Sequence, residues 1–289
     1  MADNTGKKNK SDLATRCISA CFMLPLLAFL WLGGYWLLAV VFICCARCMH
    51  EFYNGWEKLN VKPVRWVGYL SFGIWMGLVN WRYLYEGGRE DIAFDRLFCL
   101  WLFVTMSLAL SCVIFGKKDD HSIASGPVAA LGALYIGFLG SHICMLRYIP
   151  QGNILIWFPF LISIGTDSMA YFVGCRFGKY TKKMAPAISP NKSMAGFYGG
   201  MFGGPLCCVI FALLFAKEMI LHAAIMGFVG SFFSQGGDLV ESAFKRKMGI
   251  KDFSNLIPGH GGALDRLDSA LFTSSFVFYY AVLIMGVLK

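Results

Sequence analysis

The sequence predicts an all-α, polytopic integral membrane protein of about nine transmembrane helices with a cytoplasmic amino terminus. Composition is the first observation: of 289 residues, 57% are hydrophobic and 15% charged, whereas soluble domains carry about 25% charged residues. The second is the recurrence of apolar runs, each near the roughly 20 residues that one bilayer crossing takes. Eight or nine such runs consume most of the chain and leave no room for an independent soluble domain. The third is the placement of Lys and Arg, which gather on alternate connections as the positive-inside rule requires.

Residues 1–16, MADNTGKKNKSDLATR, form a basic tail too polar to bury anything and expected to be disordered. From Cys17 to Ala46 the chain is apolar for 30 residues, interrupted at Gly33-Gly34, which is long for one helix and short for two. It lacks a polar small-residue cleavage site, so it reads as an uncleaved anchor. Further spans are expected at about residues 66–85, 92–115, 126–148, 153–174, 199–216, 218–236 and 267–288. If residues 17–46 cross twice, nine helices result.

The cations arbitrate between one crossing and two. With two, eighteen Lys and Arg of the tail, of residues 51–65, of the pair Lys117-Lys118 and of two long polar loops share one side, and five lie opposite: Arg82, Arg89, Arg147, Lys217 and Lys289. A single crossing would strand the tail away from the other basic loops. The net charge of +9 also suits anionic headgroups and polyphosphates, and no nucleic-acid partner is expected. Most of the 11 cysteines sit inside apolar runs, as reduced, packed thiols do; Cys45 and Cys48 form a lone CxxC with nothing nearby to complete a zinc site. The expected organisation is a tail (1–16), about five amino-terminal helices (17–150) and a carboxyl-terminal region (151–289) with cytoplasmic loops 175–198 and 237–266.

Chemistry begins inside a span. In SIGTDSMAYFVGCRFGKY, Ser163, Asp167, Tyr171 and Gly174 fall at i, i+4, i+8 and i+11 on one helical face. An Asp at that depth is costly without a partner, a cation or water, so it either packs helices through a buried Arg or hydroxyl or opens a polar pocket. Downstream, Ser189-Pro190-Asn191-Lys192-Ser193 offers hydroxyls, a cation and a turn that suit phosphate oxygens. A solvated juxtamembrane loop would explain the charge there but not the Ser, Pro and Gly arrangement.

The strongest signal runs from Gln235 to Ser269. Asp238, Glu241, Ser242 and Lys245 occupy i, i+3, i+4 and i+7 and share a face if that piece is helical. A salt-bridged surface helix has such a pattern, yet Asp238 follows Gly236-Gly237 at the end of an apolar span, a poor place for a decorative charge. Asp265 and Asp268 open the last span with Arg266 between them; acids also suit a helix amino terminus, but capping needs only one. Carboxylates from two helices amid cations provide hard oxygen ligands for Mg²⁺ and leave Lys and Arg for phosphate charge. This predicts metal-dependent phosphoryl or nucleotidyl transfer. The Pro258-Gly259-His260-Gly261-Gly262 turn permits close backbone approach to a ligand and presents His260, titratable near neutrality.

The segment SAFKRKMGIKDFSNLIPGHGGALDRLD, Ser242 to Asp268, resembles the signature of the phosphatidate cytidylyltransferase (CDP-diacylglycerol synthase) family, bacterial type, in its S-x-x-K-R, K-D and P-G-H-G-G-x-x-D-R-x-D spacings. The Asp167 to Lys179 segment, Ser189 to Ser193 and Gly237 to Leu239 extend the likeness. Two positions depart from it: Ser193 replaces a frequent Thr and keeps the hydroxyl, and Ala195 stands where an acid or amide is common.

The resemblance implies a multi-pass enzyme of the cell inner (cytoplasmic) membrane, its active site facing the cytoplasm. It would turn CTP and phosphatidic acid into CDP-diacylglycerol and pyrophosphate, as a homodimer, with Mg²⁺ and room for a second metal or a monovalent ion. Metal would be held by Asp238 and Asp265, with Asp268 as a further ligand or as the partner of Arg266. Lys245, Arg246, Lys251 and Arg266 would clamp phosphates, and His260 would contact phosphate or manage a proton. Asp167, Ser189, Lys192, Ser242 and Asp252 would bind substrate. Rival readings are a CTP-dependent polyprenol kinase, which would release CDP, and a transporter of phosphorylated solutes, against which no inverted repeat is apparent. A scaffold whose acids only pair with its cations would leave the His260 turn unexplained.

Overall fold

The computed structural model describes residues 28–85, 92–115, 123–256 and 261–287. The expected tail, residues 17–27 of the 17–46 stretch, Arg89, Lys117, Lys118, His260 and Lys289 lie outside the described residues. A helical turn over residues 28–32 ends at Gly33 and Gly34, both at positive φ (65° and 61°). Then come α1 (Gly34–Glu57), α2 (Arg65–Val79, prolonged by a π-helical turn over Asn80–Tyr85) and α3 (Ile92–Phe115). Next, α4 (Ser125–Gly132) runs through a second π-helical turn (Ala133–Phe138) into α5 (Leu139–Tyr148). A short α6 (Gly152–Leu155) leads to α7 (Phe158–Phe177), which has Pro at its start, where the missing N–H is harmless. An antiparallel hairpin follows, β1 (Lys183–Ala185) and β2 (Ser189–Ser193), pairing Lys183 with Ser193 and Ala185 with Ser189. The rest is α8 (Met194–Phe215), α9 (Ile220–Lys247) and α10 (Leu264–Leu283).

The chain is an all-α membrane protein. Among the described residues, six helical stretches are long and apolar enough to cross a bilayer: Gly34–Glu57, Asp95–Cys112, Ser125–Tyr148, Gly152–Tyr180, Met194–Phe215 and Lys217–Lys247. Of the remaining long helices, α2 is apolar but only 15 residues long, and α10 carries Asp265, Arg266 and Asp268 in its first turns.

Two helices outrun the apolar segments that announce them. Helix α1 continues eleven residues beyond Ala46 to Glu57, and α9 runs through Gly236-Gly237 to Lys247, well into the expected polar loop. Apolar length measures how much of a helix faces hydrocarbon, whereas a helix stops where its backbone breaks. The breaks come at Asn60 (φ 59°) and Gly249 (φ 67°).

Helices α7, α8, α9, α10 and α5 pack in succession, with α1 against α5 and α10. Small residues set the closest approach, as dispersion-driven helix association in lipid requires. A Cβ on Gly165 (α7) would lie 2.6 Å from the Gly203 carbonyl oxygen of α8, and a Cβ on Gly203 would press on the Gly165 oxygen in return. Gly227 of α9 likewise lies against the backbone of Pro205, whose ring α8 absorbs in mid-helix. Where α1 meets α9, Phe52 and Phe244 stack edge to face at 5.3 Å. Gly203→Leu forces α7 and α8 apart, and a loss of about 1–3 kcal/mol, or failure to fold, is expected; thermal unfolding of the variant in detergent measures it.

Candidate active site

The site forms where α9 ends and α10 begins. On α9, one face presents Asp238, Glu241, Ser242 and Lys245, as their spacing requires. That face is turned inward: side-chain exposure is 1% for Glu241 and 13% for Lys245. Lys245 Nζ lies 2.5 Å from Glu241 Oε2 and 2.8 Å from Asp265 Oδ1, so one ammonium joins two helices. The other Asp265 oxygen, Oδ2, accepts the N–H groups of Phe253 (3.0 Å) and Gly262 (2.8 Å). Asp265 is thereby committed to a lysine and two backbone amides.

A second group of acids contains Asp238 and Asp268, two of the expected metal ligands. Asp238, Glu241 and Asp268 each offer an oxygen within 4.8 Å of the others. Glu241 Oε1 is buried with no hydrogen-bond partner among the described residues. Three carboxylates this close, one of them with an idle oxygen in a dry setting, repel one another when ionised, and a cation among them would relieve that repulsion. Hard oxygen donors in this number fit a divalent ion that keeps further positions for water or phosphate. The residues thus pass the chemical test for holding metal.

Asp238 is also the point where the hairpin reaches the helices. Its Oδ2 pairs with Lys192 Nζ of β2 at 2.5 Å, and its Oδ1 accepts the Ser242 hydroxyl at 3.3 Å. Arg246 Nε donates to the Ile188 carbonyl (3.0 Å), so this cation holds the hairpin against α9. Ser193, the hydroxyl residue in place of Thr, caps α8 by accepting the Gly196 N–H at 3.2 Å.

Two cavities adjoin these acids. One, of about 400 Å³, is lined by Asp167, Tyr171, Gly174, Lys192, Gln235 and Asp238 among others. The second, of about 330 Å³, is a crevice between α1, α7 and α10. Its walls are apolar, including Leu37, Val41, Phe160, Ile164 and Leu271, and its polar members are Ser163, Asp167, Arg266, Asp268 and Ser269. Asp167 lines both cavities, which is the arrangement that a face of Ser163, Asp167, Tyr171 and Gly174 makes when it opens a pocket.

The structure therefore brings Asp167, Lys192, Asp238, Ser242, Lys245, Asp265 and Asp268 into one region and sets Arg266 at the crevice. Ser189 opens β2, half-buried, while Lys251 and Asp252 stand exposed in the bend after α9. Sequence reasoning places Glu241 on the shared face of α9 but not among the metal ligands. It passes over Gln235 beside Asp238 in the first cavity and Glu51, which is 1% exposed and meets Ser254 and Leu264. Partners more than 200 residues away leave no local signal.

A helical bundle with a buried lysine–carboxylate centre, an acid trio fit for a divalent ion, and a cavity lined by acids and Lys192 that shares Asp167 with an aliphatic crevice defines a membrane-embedded enzyme. The cytidylyltransferase family model matches residues 14–284, and the chain belongs to that family of nucleotidyltransferases. It is 40% identical over 213 residues to a phosphatidate cytidylyltransferase of Bacillus subtilis (strain 168), covering 73% of this chain and 76% of that protein. Proteins of the same name are 40% identical in Staphylococcus epidermidis (strain ATCC 12228) and 39% identical in Staphylococcus aureus (strain COL), each over 174 residues. Those matches cover 58% and 57% of this chain and 64% and 62% of the staphylococcal proteins, a little under two thirds of their length.

The two lysines of the site differ in setting, and so in the expected effect of removing them. Lys245→Met leaves Glu241 and Asp265 buried without their cation and is expected to destabilise by about 3–5 kcal/mol. Lys192→Met breaks a pair whose members are 28% and 30% exposed, for which about 1 kcal/mol or less is expected. Denaturant unfolding of both variants in detergent checks the difference.

Proposed function

We propose that the chain transfers the cytidylyl group of CTP to phosphatidic acid, giving CDP-diacylglycerol and pyrophosphate. The observation that carries this reading is the pair of cavities sharing Asp167: one also lined by Asn191, Lys192, Ser193, Gln235 and Asp238, the other mainly by aliphatic side chains with Arg266 and Asp268 among them. A nucleoside triphosphate suits the first and an anionic lipid with its chains in hydrocarbon suits the second. The names of the bacillal and staphylococcal relatives support the same substrates.

In the proposed reaction a phosphate oxygen of phosphatidic acid attacks the α-phosphorus of CTP. The new P–O bond forms as the bond to the bridging oxygen breaks, and pyrophosphate departs with that electron pair. The nucleophile is already an anion, so no strong base is required. Lys192 and Arg266 face the cavities and would bind phosphate charge, with Lys251 and Asp252 approaching from the exposed bend and His260 contacting phosphate or managing a proton. Mg²⁺ held by Asp238, Glu241 and Asp268 would neutralise phosphate charge and help the leaving group depart. Asp265, an expected ligand, would act instead by fixing Lys245 and the amides of Phe253 and Gly262. A second metal or a monovalent ion remains part of the proposal, as does a homodimer, on the family resemblance.

The proposed topology is nine spans in the cell inner membrane, with the amino terminus and the site cytoplasmic and the carboxyl-terminal region, 151–289, carrying the chemistry. The eighteen-to-five division of cations supports it. The hydrogen bond from Ser254 to Glu51 supports a shared side for the ends of α1 and α9. In a cysteine-free background, Lys58→Cys and Lys251→Cys should react with an impermeant maleimide only in inside-out vesicles, and Lys217→Cys only in intact cells. Labelling of all three from one side would sink the topology.

Purified protein given labelled CTP, phosphatidic acid and Mg²⁺ is expected to form lipid-extractable CDP-diacylglycerol and pyrophosphate one to one, with loss of both in EDTA. Release of CDP instead would mark a kinase. Asp238→Asn and Asp268→Asn should each reduce kcat beyond the roughly 10–100-fold typical of supporting residues. Glu241→Gln should raise the Mg²⁺ concentration needed for half-maximal rate.

A further inference from the structure

We propose that Glu51 of α1 is a positioning residue for the transfer site, holding both ends of the connection between α9 and α10 in the conformation that Asp265 and Lys245 require. The proposal rests on the cytidylyl-transfer reading of that site. Glu51 is 1% exposed, yet its carboxylate is fully engaged. Oε1 accepts the Ser254 hydroxyl at 2.6 Å and lies 3.4 Å from Arg47 Nε. Oε2 accepts the Leu264 N–H at 2.9 Å.

Leu264 is the first residue of α10, so Glu51 supplies from another helix the anion that the exposed amides of a helix start favour. That start carries Asp265, Arg266 and Asp268. The backbone of Gly262 lies against the same carboxylate: a Cβ there would be 2.9 Å from Glu51 Cδ and 3.0 Å from Oε1. Gly262 also donates its N–H to Asp265 Oδ2. Its backbone is therefore held between two carboxylates, Glu51 on its Cα side and Asp265 on its N–H. A shift of Glu51 moves Gly262 and Leu264 together and takes from Asp265 a bond that orients it toward Lys245.

None of these partners belongs to the acid trio or lines either cavity, so Glu51 acts through other residues. Capping and ion pairing could serve stability alone; what points to the site is that every bond of Glu51 beyond its own helix ends on the connection carrying Asp265. Helix α1 also lines the apolar crevice through Val40, Val41, Cys44 and Cys45, two turns before Glu51. Substitution of Glu51 leaves those side chains in place, which separates an effect on turnover from one on lipid binding.

The test compares Glu51→Ala, Glu51→Gln and Ser254→Ala with the unaltered full chain in detergent. Hydrogen–deuterium exchange and thermal unfolding are read without substrate, and kcat and KM for CTP and phosphatidic acid with it. Glu51→Ala is expected to lose about 10–100-fold in kcat, as the loss of a group that orients the reacting ones does, with lipid KM unchanged. Amides of residues 253–256 and 261–266 should exchange faster, and Gln, which keeps the acceptor for Leu264, should recover part of the rate.

Unchanged kcat in Glu51→Ala, or a lowered melting temperature with the turnover of folded protein intact, would overturn the proposal. If Glu51→Ala fails to fold, Ser254→Ala and Glu51→Gln decide: reduced kcat with faster exchange at 253–256 supports it, and wild-type values in both overturn it. Exchange needs no reaction. Unaltered protein that forms no CDP-diacylglycerol would thus sink the transferase reading, while unchanged exchange in Glu51→Ala would sink the role of Glu51.

Discussion

A single ammonium, Lys245, is shared by Glu241 four residues earlier on its own helix and by Asp265 on the next. Removing three charges from water is costly, and their attraction offsets that cost only when the geometry is tight and the remaining lone pairs are satisfied. Lys245 and the amides of Phe253 and Gly262 meet these terms for Asp265, and α9 and α10 must come together for them to do so. Glu241 pairs with Lys245 through one oxygen, its other oxygen has no hydrogen-bond partner among the described residues, and the residue lies beside Asp238 and Asp268. The same pair of helices is thus locked by a completed ionic contact and equipped by an incomplete one.

Around that lock the bundle places two cavities of different character side by side. Asp167, Lys192, Gln235 and Asp238 face one of them, while the crevice between α1, α7 and α10 is lined mostly by aliphatic side chains, with Ser163 and Asp167 of α7 and Arg266, Asp268 and Ser269 of α10 as its polar members. An amphiphile and a polar nucleotide can be served from such a position without either crossing the other's medium. The close glycine contacts of α7 with α8 matter here because they fix the distance between the helix that carries Asp167 and the one that the hairpin leads into. The hairpin is in turn held by Arg246 and Lys192, so cations that suggested phosphate clamps also have a structural task.

Much of the fold was legible because the bilayer imposes a single rule on a spanning segment, that its backbone be helical and its surface apolar. Spans at 92–115 and 126–148 are met by α3 and by α4 through α5 nearly residue for residue. Helix ends were less legible at α1 and α9, since polar residues such as Arg47, Glu51 and Asp238 through Lys247 interrupt the apolar run without interrupting the helix. In the site, spacing alone put Asp238, Ser242 and Lys245 on one face. Which acid meets which partner was beyond it: Asp265 and Asp268, three residues apart in one motif, end up in different company, Asp265 with Lys245 and two amides and Asp268 near Asp238 and Glu241.

The sequence by itself determined the membrane setting, the helical class, the polar face of α7 and the family, because composition, apolar length, periodicity and a dense motif are properties of neighbouring residues. Only the tertiary structure decided that Asp265 is spent on Lys245 and two amides, that Glu241 joins Asp238 and Asp268, and that Glu51 stands beneath the start of α10. Those assignments depend on distances between segments far apart in the chain, and a carboxylate's partner is set by what the packed helices bring within about 3 Å of it.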